Sequence, residues 1–299
     1  MIVVTGARGF IGSAVCAALR ARGDRVVTVG RGPDANVAWP PGEAEFDTAA
    51  LTVLAGARAV VHLAGESIGV RWTEARKREI VRSRVVNTGR LARAAATVIP
   101  TPAAFLSASG VGYYGSRGDE WLDESSSTGT DFLSEVTRLW EGATEPAREA
   151  GMRVVCMRFG VVLGPGGGML AKLRLPFSLG LGGRLGSGQQ WLSWISLNDL
   201  VRVVLRLIDH SGIEGAVNVA SATPVRNEEF TATLGRVLRR PAVLPVPAFA
   251  LRAMFGEMAD GAALASQRVR PARLQAAGFV FDQPTIDDAL CAALKSPGR

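Results

Sequence analysis

Histidine, tyrosine and lysine are nearly missing from this chain. Its 299 residues include two histidines, His62 and His210, two tyrosines, Tyr113 and Tyr114, and lysine only at 77, 172 and 295. So few imidazoles exclude a histidine-rich metal site and most histidine-based acid–base chemistry. The three cysteines, Cys16, Cys156 and Cys291, are odd in number, far apart and form no CxxC pair. That argues against a disulfide framework and a zinc site. No apolar run reaches the ~18–20 residues that span a bilayer. The N-terminus has no basic leader and places a glycine turn where a signal peptide has its apolar stretch. The expectation is a cytoplasmic protein that engages no membrane. Blocks of five like charges are also lacking, although the net charge is +7. Almost all of the positive charge is arginine, a usage that suits a GC-rich coding sequence better than a nucleic-acid binder. The densest patch, Arg76-Lys77-Arg78 with Arg82 and Arg84, reads either as a solvated helix face or as a neighbour of an anionic ligand. Without interleaved aromatics or a binding motif, no nucleic-acid partner is expected.

What is present is concentrated at the start. Met1-Ile2-Val3-Val4 reads as a short apolar strand, Thr5-Gly6-Ala7-Arg8-Gly9-Phe10-Ile11-Gly12 as a glycine turn, and Ser13 to Arg22 as a helix. Strand, glycine turn and helix are the arrangement that grips a pyrophosphate. Gly6 permits the tight turn, Gly9 lets backbone N–H groups approach the phosphates, and Gly12 lets the helix pack close to the strand. The alternative is an ordinary βα turn that binds nothing.

The first half of the chain alternates strand and helix. Strands are expected at 25–29, 58–65, 103–107 and 153–158. A long helix is expected from Glu74 to Thr97, with apolar positions at Ile80, Val81, Val85, Thr88, Leu91 and Ala95, and another from Phe132 to Ala150. This order implies a doubly wound parallel sheet with its ligand beyond the C-terminal strand ends. The second half changes character. Residues 164–188 are glycine-rich, Asn198-Asp199 opens a helix to about Asp209, residues 216–220 form a last sheet strand, and the remainder is a small helical lobe. The expected fold is α/β: a Rossmann-type domain over 1–165, completed by roughly 197–222, with a smaller C-terminal substrate lobe from 166–196 and 223–299.

These residues resemble a known family. TGARGFIG at 5–12, HLAGE at 62–66, SASGVGYYG at 107–115, RFGVVLG at 158–164 and WISLND at 194–199 resemble the extended short-chain dehydrogenase/reductase superfamily. Arg71-Trp72 with Lys77, Ile80 and Ser83-Arg84, Asp131-Phe132-Leu133 with Trp140-Glu141, LGLGGRLGSGQQWLSWI at 179–195, and Phe255-Gly256-Glu257-Met258 are similar to its atypical SulA/YfcH-like subgroup, labelled "epimerase family protein". The resemblance covers nearly the whole chain. It implies a nucleotide-binding half without the usual active-site signature. It also implies a homodimer built on the helix from Glu74, against which that helix's arginines count.

The end of the second strand selects the cofactor. An acidic residue there holds a ribose 2′-hydroxyl, whereas arginine pairs with a 2′-phosphate. Here the strand ends Val29-Gly30-Arg31, and Arg8 in the glycine loop is a second guanidinium near the same spot. Guanidinium forks suit phosphate geometry, so NADP(H) is expected. The plainer reading of Arg31 is a surface arginine. Leu63, Ala64 and Gly65 are expected beside the cofactor ribose. The resemblance implies that Asp47 accepts from the adenine amino group; the alternative is a helix cap. It also places Arg84 at a position facing the site, with Glu79 a turn earlier to hold it. The alternative there is a solvent-exposed helical ion pair.

The superfamily's machinery is a strand-end Ser or Thr with Tyr-x-x-x-Lys on the next helix. With Glu141 matched to the family's helix glutamate, Leu133 falls at the tyrosine and Thr137 at the lysine. A leucine cannot transfer a proton. What remains for catalysis is Ser109, Tyr113 and Tyr114, with Arg84, Lys77 or Glu66 to tune a phenol whose ordinary pKa is ~10. The alternatives are loop packing for the tyrosines and a strand-end hydrogen bond for Ser109. Trp191 and Trp194 read as a substrate wall or as lobe packing. The functional reading is an NADP(H)-dependent oxidoreductase acting on a small, cyclic organic substrate. Two others stand beside it: a non-catalytic NADP(H) sensor, and an epimerase working through transient oxidation.

Overall fold

The computed structural model describes residues 1–40 and 44–295. Strand β1 (Ile2–Thr5) leads through the glycine turn into α1 (Phe10–Ala21), followed by β2 (Val26–Gly30), β3 (Val37–Ala38), α2 (Thr48–Ala55) and β4 (Ala59–His62). The long helix comes next in three parts: α3 (Glu74–Val81), a π-turn (Arg82–Val86) and α4 (Asn87–Thr97). Then follow β5 (Ala104–Gly110), a 3₁₀ turn (Val111–Tyr114), β6 (Trp121–Leu122), α5 (Phe132–Gly142), α6 (Glu145–Glu149), β7 (Arg153–Phe159) and β8 (Val161–Leu163). The remainder comprises α7 (Gly168–Ser178), β9 (Trp191–Leu192), β10 (Trp194–Ser196), α8 (Leu197–Asp209), β11 (Gly215–Val219), β12 (Val225–Arg226), α9 (Asn227–Leu238), α10 (Ala248–Phe255), β13 (Arg268–Val269), α11 (Ala272–Ala276) and α12 (Ile286–Lys295).

Seven strands form one parallel sheet in the order β11-β7-β5-β4-β1-β2-β3. The chain winds outward from β1 to β3, then returns to β1's other side and continues to β11. The reversal lies between β1 and β4, and opens a crevice beyond their C-terminal ends. Side chains alternate along each strand. Ile2 and Val4 face a core made with Val15 and Leu19 of α1 and Leu200, Val203, Val204 and Leu207 of α8. Val3 faces the opposite core, made with Leu54 of α2, Leu91 and Ala95 of α4 and Phe105 of β5. The α8 positions recur at i, i+3, i+4 and i+7, one helical stripe, all fully buried. Burying each contributes roughly 1.5–3 kcal/mol against leaving it in water.

A third core, around Leu170 and Phe177 of α7, Trp194, Phe230 and Leu234 of α9 and Leu290 of α12, holds the later elements together. Trp194 belongs to it, with Nε1 donating to the Thr223 carbonyl at 2.9 Å, so its role is packing. The helix expected to open at Asn198 starts at Leu197. Ser196 caps it, and Asp199 is fully buried, accepting from the N–H groups of Asp282 and Gln283.

Candidate functional site

A cavity of about 570 Å³ sits at the sheet's reversal point. The glycine turn forms its floor. Gly6 has φ +69°, and a Cβ there would stand 2.7 Å from the Leu63 carbonyl; a Cβ on Gly12 would stand 2.1 Å from the Gly6 carbonyl oxygen. Both positions need glycine, so that α1 and β4 can close on the turn. Gly9 N–H itself donates to the Gly6 carbonyl at 2.9 Å and tightens the turn. The open donors are therefore the first N–H groups of α1. That helix has Gly9 as its N-cap, no side-chain cap and no acid in its first turn.

Of the residues singled out from sequence, Gly6, Arg8, Gly9, Gly30, Arg31, Leu63, Ala64, Gly65 and Glu79 line this cavity. Phe10, Ile11 and Gly12 do not. Phe10 tucks its ring under Gly164, Gly167 and Gly168, Ile11 packs into the core, and Gly12 is buried against Gly6. Arg31 lies across the mouth, donating to Glu66 at 3.2 Å, and Arg8 stands 3.6 Å from Asp34. No acid follows Gly30 directly. Asp47 caps α2, one carboxylate oxygen accepting from Ala50 N–H at 2.8 Å, and is not among the residues that line the cavity. Glu79 is a correction to the expectation that it holds Arg84: its carboxylate pairs with Arg82 at 3.6 Å. Arg84, carried on the π-turn, donates to the Glu66 carbonyl at 2.9 Å and lies over the Trp140 ring at 5.0 Å. Burial lowers its pKa to about 10.

Several cavity residues had no local signal. Asn36 and Thr28 exchange hydrogen bonds across the end of β2, with Thr28 N–H donating to Asn36 Oδ1 at 2.9 Å. Trp39 follows the edge strand, and the Arg90 guanidinium from α4 lies 5.8 Å from its ring centroid. Together they wall the outer end of the cavity. Arg20, Arg82 and Asn87 complete a lining in which arginines outnumber carboxylates.

The three catalytic candidates gather around a fourth residue that sequence reading missed, Arg158 of β7. Its guanidinium is buried and forms a double hydrogen bond with Glu141, Nε to Oε1 and Nη2 to Oε2, both 2.8 Å. Burial works to lower its pKa, but the Glu141 hydrogen bonds and charge, with Tyr114, outweigh that and raise it. Ser109 Oγ donates to Glu141 Oε1 at 2.6 Å. Tyr114 is fully buried. Its hydroxyl donates to Asn218 Oδ1 at 2.7 Å and accepts from Arg158 Nη1 at 3.0 Å. Burial pushes this phenol up to about 12 despite Arg158. Enclosed and held by both partners, Tyr114 anchors the tyrosine turn. Tyr113 is half-buried, with the Arg158 guanidinium 3.4 Å from its ring centroid. The cation beside the tyrosines is thus neither Lys77, which pairs with Glu257, nor Arg84. Leu133 and Thr137 face Gly112 of the tyrosine turn, and Thr137 Oγ1 donates to its own helix at Leu133 O, 2.6 Å. Trp191 lies outside the cavity, its Nε1 donating to Asp119 at 2.7 Å. Among the described residues, no three of His, Cys, Asp and Glu gather as metal ligands.

Comparison with known proteins matches residues 2–220 to the model of the NAD dependent epimerase/dehydratase family and residues 246–293 to a domain of unknown function, DUF1731. An epimerase family protein of Mycobacterium bovis is 45% identical over 100% of this chain and 99% of its own length. The crystal structure of human epimerase family protein SDR39U1 (isoform 2), solved with NADPH, superposes with a TM-score of 0.89 at 33% identity, covering 99% of both chains. A nucleoside-diphosphate sugar epimerase from Corynebacterium glutamicum superposes with a TM-score of 0.79 at 36% identity, covering 98% of this chain and 57% of that one.

Proposed function

The chain belongs to the NAD dependent epimerase/dehydratase family, and from that premise we propose that it binds NADP(H) in the cavity at the sheet's reversal point and acts as an oxidoreductase of the atypical extended short-chain type. Its substrate is a small organic molecule, a cyclic carbonyl, alkene or alcohol. The observation that carries the cofactor assignment is the end of β2. Arg31 follows Gly30 with no acid at the tip, and both Arg31 and Arg8 line the cavity. Guanidinium groups there favour a 2′-phosphate over a free 2′-hydroxyl. A relative of the same length bound to NADPH supports the reading.

The glycine cradle fits such a group, because Gly6 and Gly12 admit no Cβ and α1 presents free N–H groups. The turn and α1 would hold the pyrophosphate, Arg8 and Arg31 the 2′-phosphate, and Leu63, Ala64 and Gly65 the ribose. When bound, the nicotinamide supplies or accepts hydride. The chain's share is to orient the partners, exclude water and move a proton. Tyr113 is the phenol for the last task, since its hydroxyl has no hydrogen-bond partner among the described residues and Arg158 stacks on its ring. Ser109, fixed by Glu141, is a positioning donor.

A second reading, a non-catalytic NADP(H) sensor, is favoured by one observation: α5 carries Leu133 and Thr137 in place of a phenol and an ammonium. Calorimetric titration with NADP⁺, NADPH, NAD⁺ and NADH tests the shared premise, and a carbonyl and alkene screen that follows NADPH oxidation separates the two readings. No heat with any dinucleotide would overturn both.

A further inference from the structure

Residues 241–255, PAVLPVPAFALRAMF, contain a single polar side chain, Arg252. Such a composition normally marks a core segment, yet only Leu251 in it is buried. Val243 is 76% exposed, Leu244 49%, Phe249 73% and Met254 60%. Alongside runs a second exposed apolar stretch at the end of α7 and beyond, Leu175 at 67%, Leu179 at 64% and Leu181 at 58%. Backbone hydrogen bonds tie the two together: Leu244 N–H to the Gly182 carbonyl at 3.1 Å and Val246 N–H to the Arg184 carbonyl at 2.9 Å. Among the described residues, seven of the twelve large apolar side chains that are exposed thus lie on one lobe surface. A contiguous patch of this kind marks an interaction face.

Its charge says what covers it. No Asp or Glu occurs between Glu149 and Asp199, or between Glu229 and Glu257. Lys172, Arg174, Arg184, Arg239 and Arg240 are exposed around the apolar side chains, and none of them has a carboxylate partner among the described residues. Of the acids that bound these stretches, Asp260 pairs with Arg252 and Glu257 with Lys77, while Glu228 and Glu229, in the first turn of α9, form no ion pair with these cations among the described residues. A two-fold contact with a second copy would set these unpaired cations against one another. Exposed apolar side chains ringed by unneutralised Lys and Arg are the pattern that lies on an anionic lipid surface.

We propose that this face of the lobe docks on an anionic bilayer, with Phe249, Leu244 and Leu179 entering the interfacial layer and Arg174 and Arg184 meeting the headgroups. It is a surface contact and needs no spanning helix; no described helix is long and apolar enough to be one. The docking face adjoins the crevice. Arg71, in the loop after β4, donates to the Ala253 carbonyl at 2.8 Å, and Lys172 of α7 donates to the Gly69 carbonyl. The cavity mouth is thereby held near the bilayer. The inference stands apart from the cofactor assignment.

The test is vesicle flotation of the full chain, using phosphatidylcholine alone and an equimolar mixture with phosphatidylglycerol. The chain is expected to float with the mixed vesicles and to stay in solution with the neutral ones. Val243→Asp with Phe249→Asp, and separately Arg174→Glu with Arg184→Glu, should each lower the bound fraction by roughly tenfold or more. Thermal midpoints should be unchanged, because all four side chains are exposed. Failure to float with the anionic vesicles, or equal recovery with both kinds, overturns the proposal. So does light scattering that finds a dimer which the Val243/Phe249 pair converts to monomer, since a second copy would then be the occupant.

Discussion

Arg31 and Tyr114 show how differently two polar side chains in one molecule can be committed. The Arg31 side chain is 77% exposed and its bridge to Glu66 is 3.2 Å long. An exposed pair of this kind contributes little to stability, so a phosphate can take over the guanidinium at small cost. Replacing Arg31 by Ala should weaken NADPH binding by roughly 10- to 100-fold, the equivalent of one charge-assisted hydrogen-bond pair, and leave NADH binding unchanged. Calorimetry with both dinucleotides reads this directly. Tyr114 is the opposite case. Its hydroxyl serves Asn218 and Arg158 in a closed interior, so Tyr114→Phe should cost about 1–3 kcal/mol in denaturant unfolding while NADPH affinity is retained. A loss of NADPH affinity without a loss of stability would return Tyr114 to the site. The sequence made Arg31 and the glycine turn legible because strand, turn and helix are contiguous there. It could not reveal Arg158, whose partners come from β5, α5 and the tyrosine turn, tens of residues away. Asp47 was ambiguous for a physical reason: the same carboxylate that could accept from an adenine also suits a helix N-cap, and the cap is what the fold uses.

At the scale of elements, one hydrogen-bonded chain joins β1, β4, α4 and α5. Thr5 Oγ1 meets His62 Nδ1 at 2.6 Å, His62 Nε2 meets Thr88 Oγ1 at 2.9 Å, and Trp140 Nε1 donates to the same Thr88 oxygen at 2.8 Å. His62 is fully enclosed, and burial lowers its pKa to about 4. The folded value lies below the ordinary ~6.5, so the neutral ring is the folded form. Its contribution to stability is therefore full above about pH 6.5 and is lost as pH falls from there toward 4, amounting to about 3 kcal/mol across the window. Urea midpoints at pH 7.5 and pH 5 should differ in the wild type, and the difference should shrink in His62→Gln. An unchanged difference would place the acid sensitivity elsewhere. The same region shows what periodicity can and cannot read. The long helix was expected unbroken from Glu74 to Thr97, with Val81 and Val85 in its apolar stripe. In the structure the buried positions are Ile80 and Ser83, then Thr88 to Ala92, Ala94 and Ala95, with Val81 and Val85 only half-buried. The five-residue step from Ser83 to Thr88 exceeds an α-helical turn, and the π-turn at Arg82–Val86 absorbs it. A single extra residue in a turn leaves the composition untouched, so apolar periodicity alone does not expose it.

For the whole molecule, the strand order and the crevice followed from the βαβ alternation, because parallel strands with right-handed crossovers leave few arrangements. The lobe was less legible. Its strands are two or three residues long and pair segments far apart in sequence, as Trp121-Leu122 does with Arg268-Val269, so no local pattern announces them. Function at this scale is a question of linkage. A dinucleotide that binds only the folded chain, held at a hundred times its Kd, stabilises it by about 2.7 kcal/mol. For a chain of this size that should raise the thermal midpoint by roughly 4–5 °C. NADPH is expected to produce this rise and NADH at the same concentration to produce almost none, since the 2′-phosphate is what Arg8 and Arg31 await. The comparison of NADP⁺ with NADPH then divides the two functional readings. A sensor can shift its conformation only by the difference in its affinities for the two redox forms, and a swing from one dominant state to the other needs a ratio on the order of 10⁴. An oxidoreductase needs no such gap, because it must release either form as turnover proceeds. Midpoint rises for NADP⁺ and NADPH that agree within a degree or two at matched concentration would leave the sensor without a driving force, and would assign the site to hydride transfer.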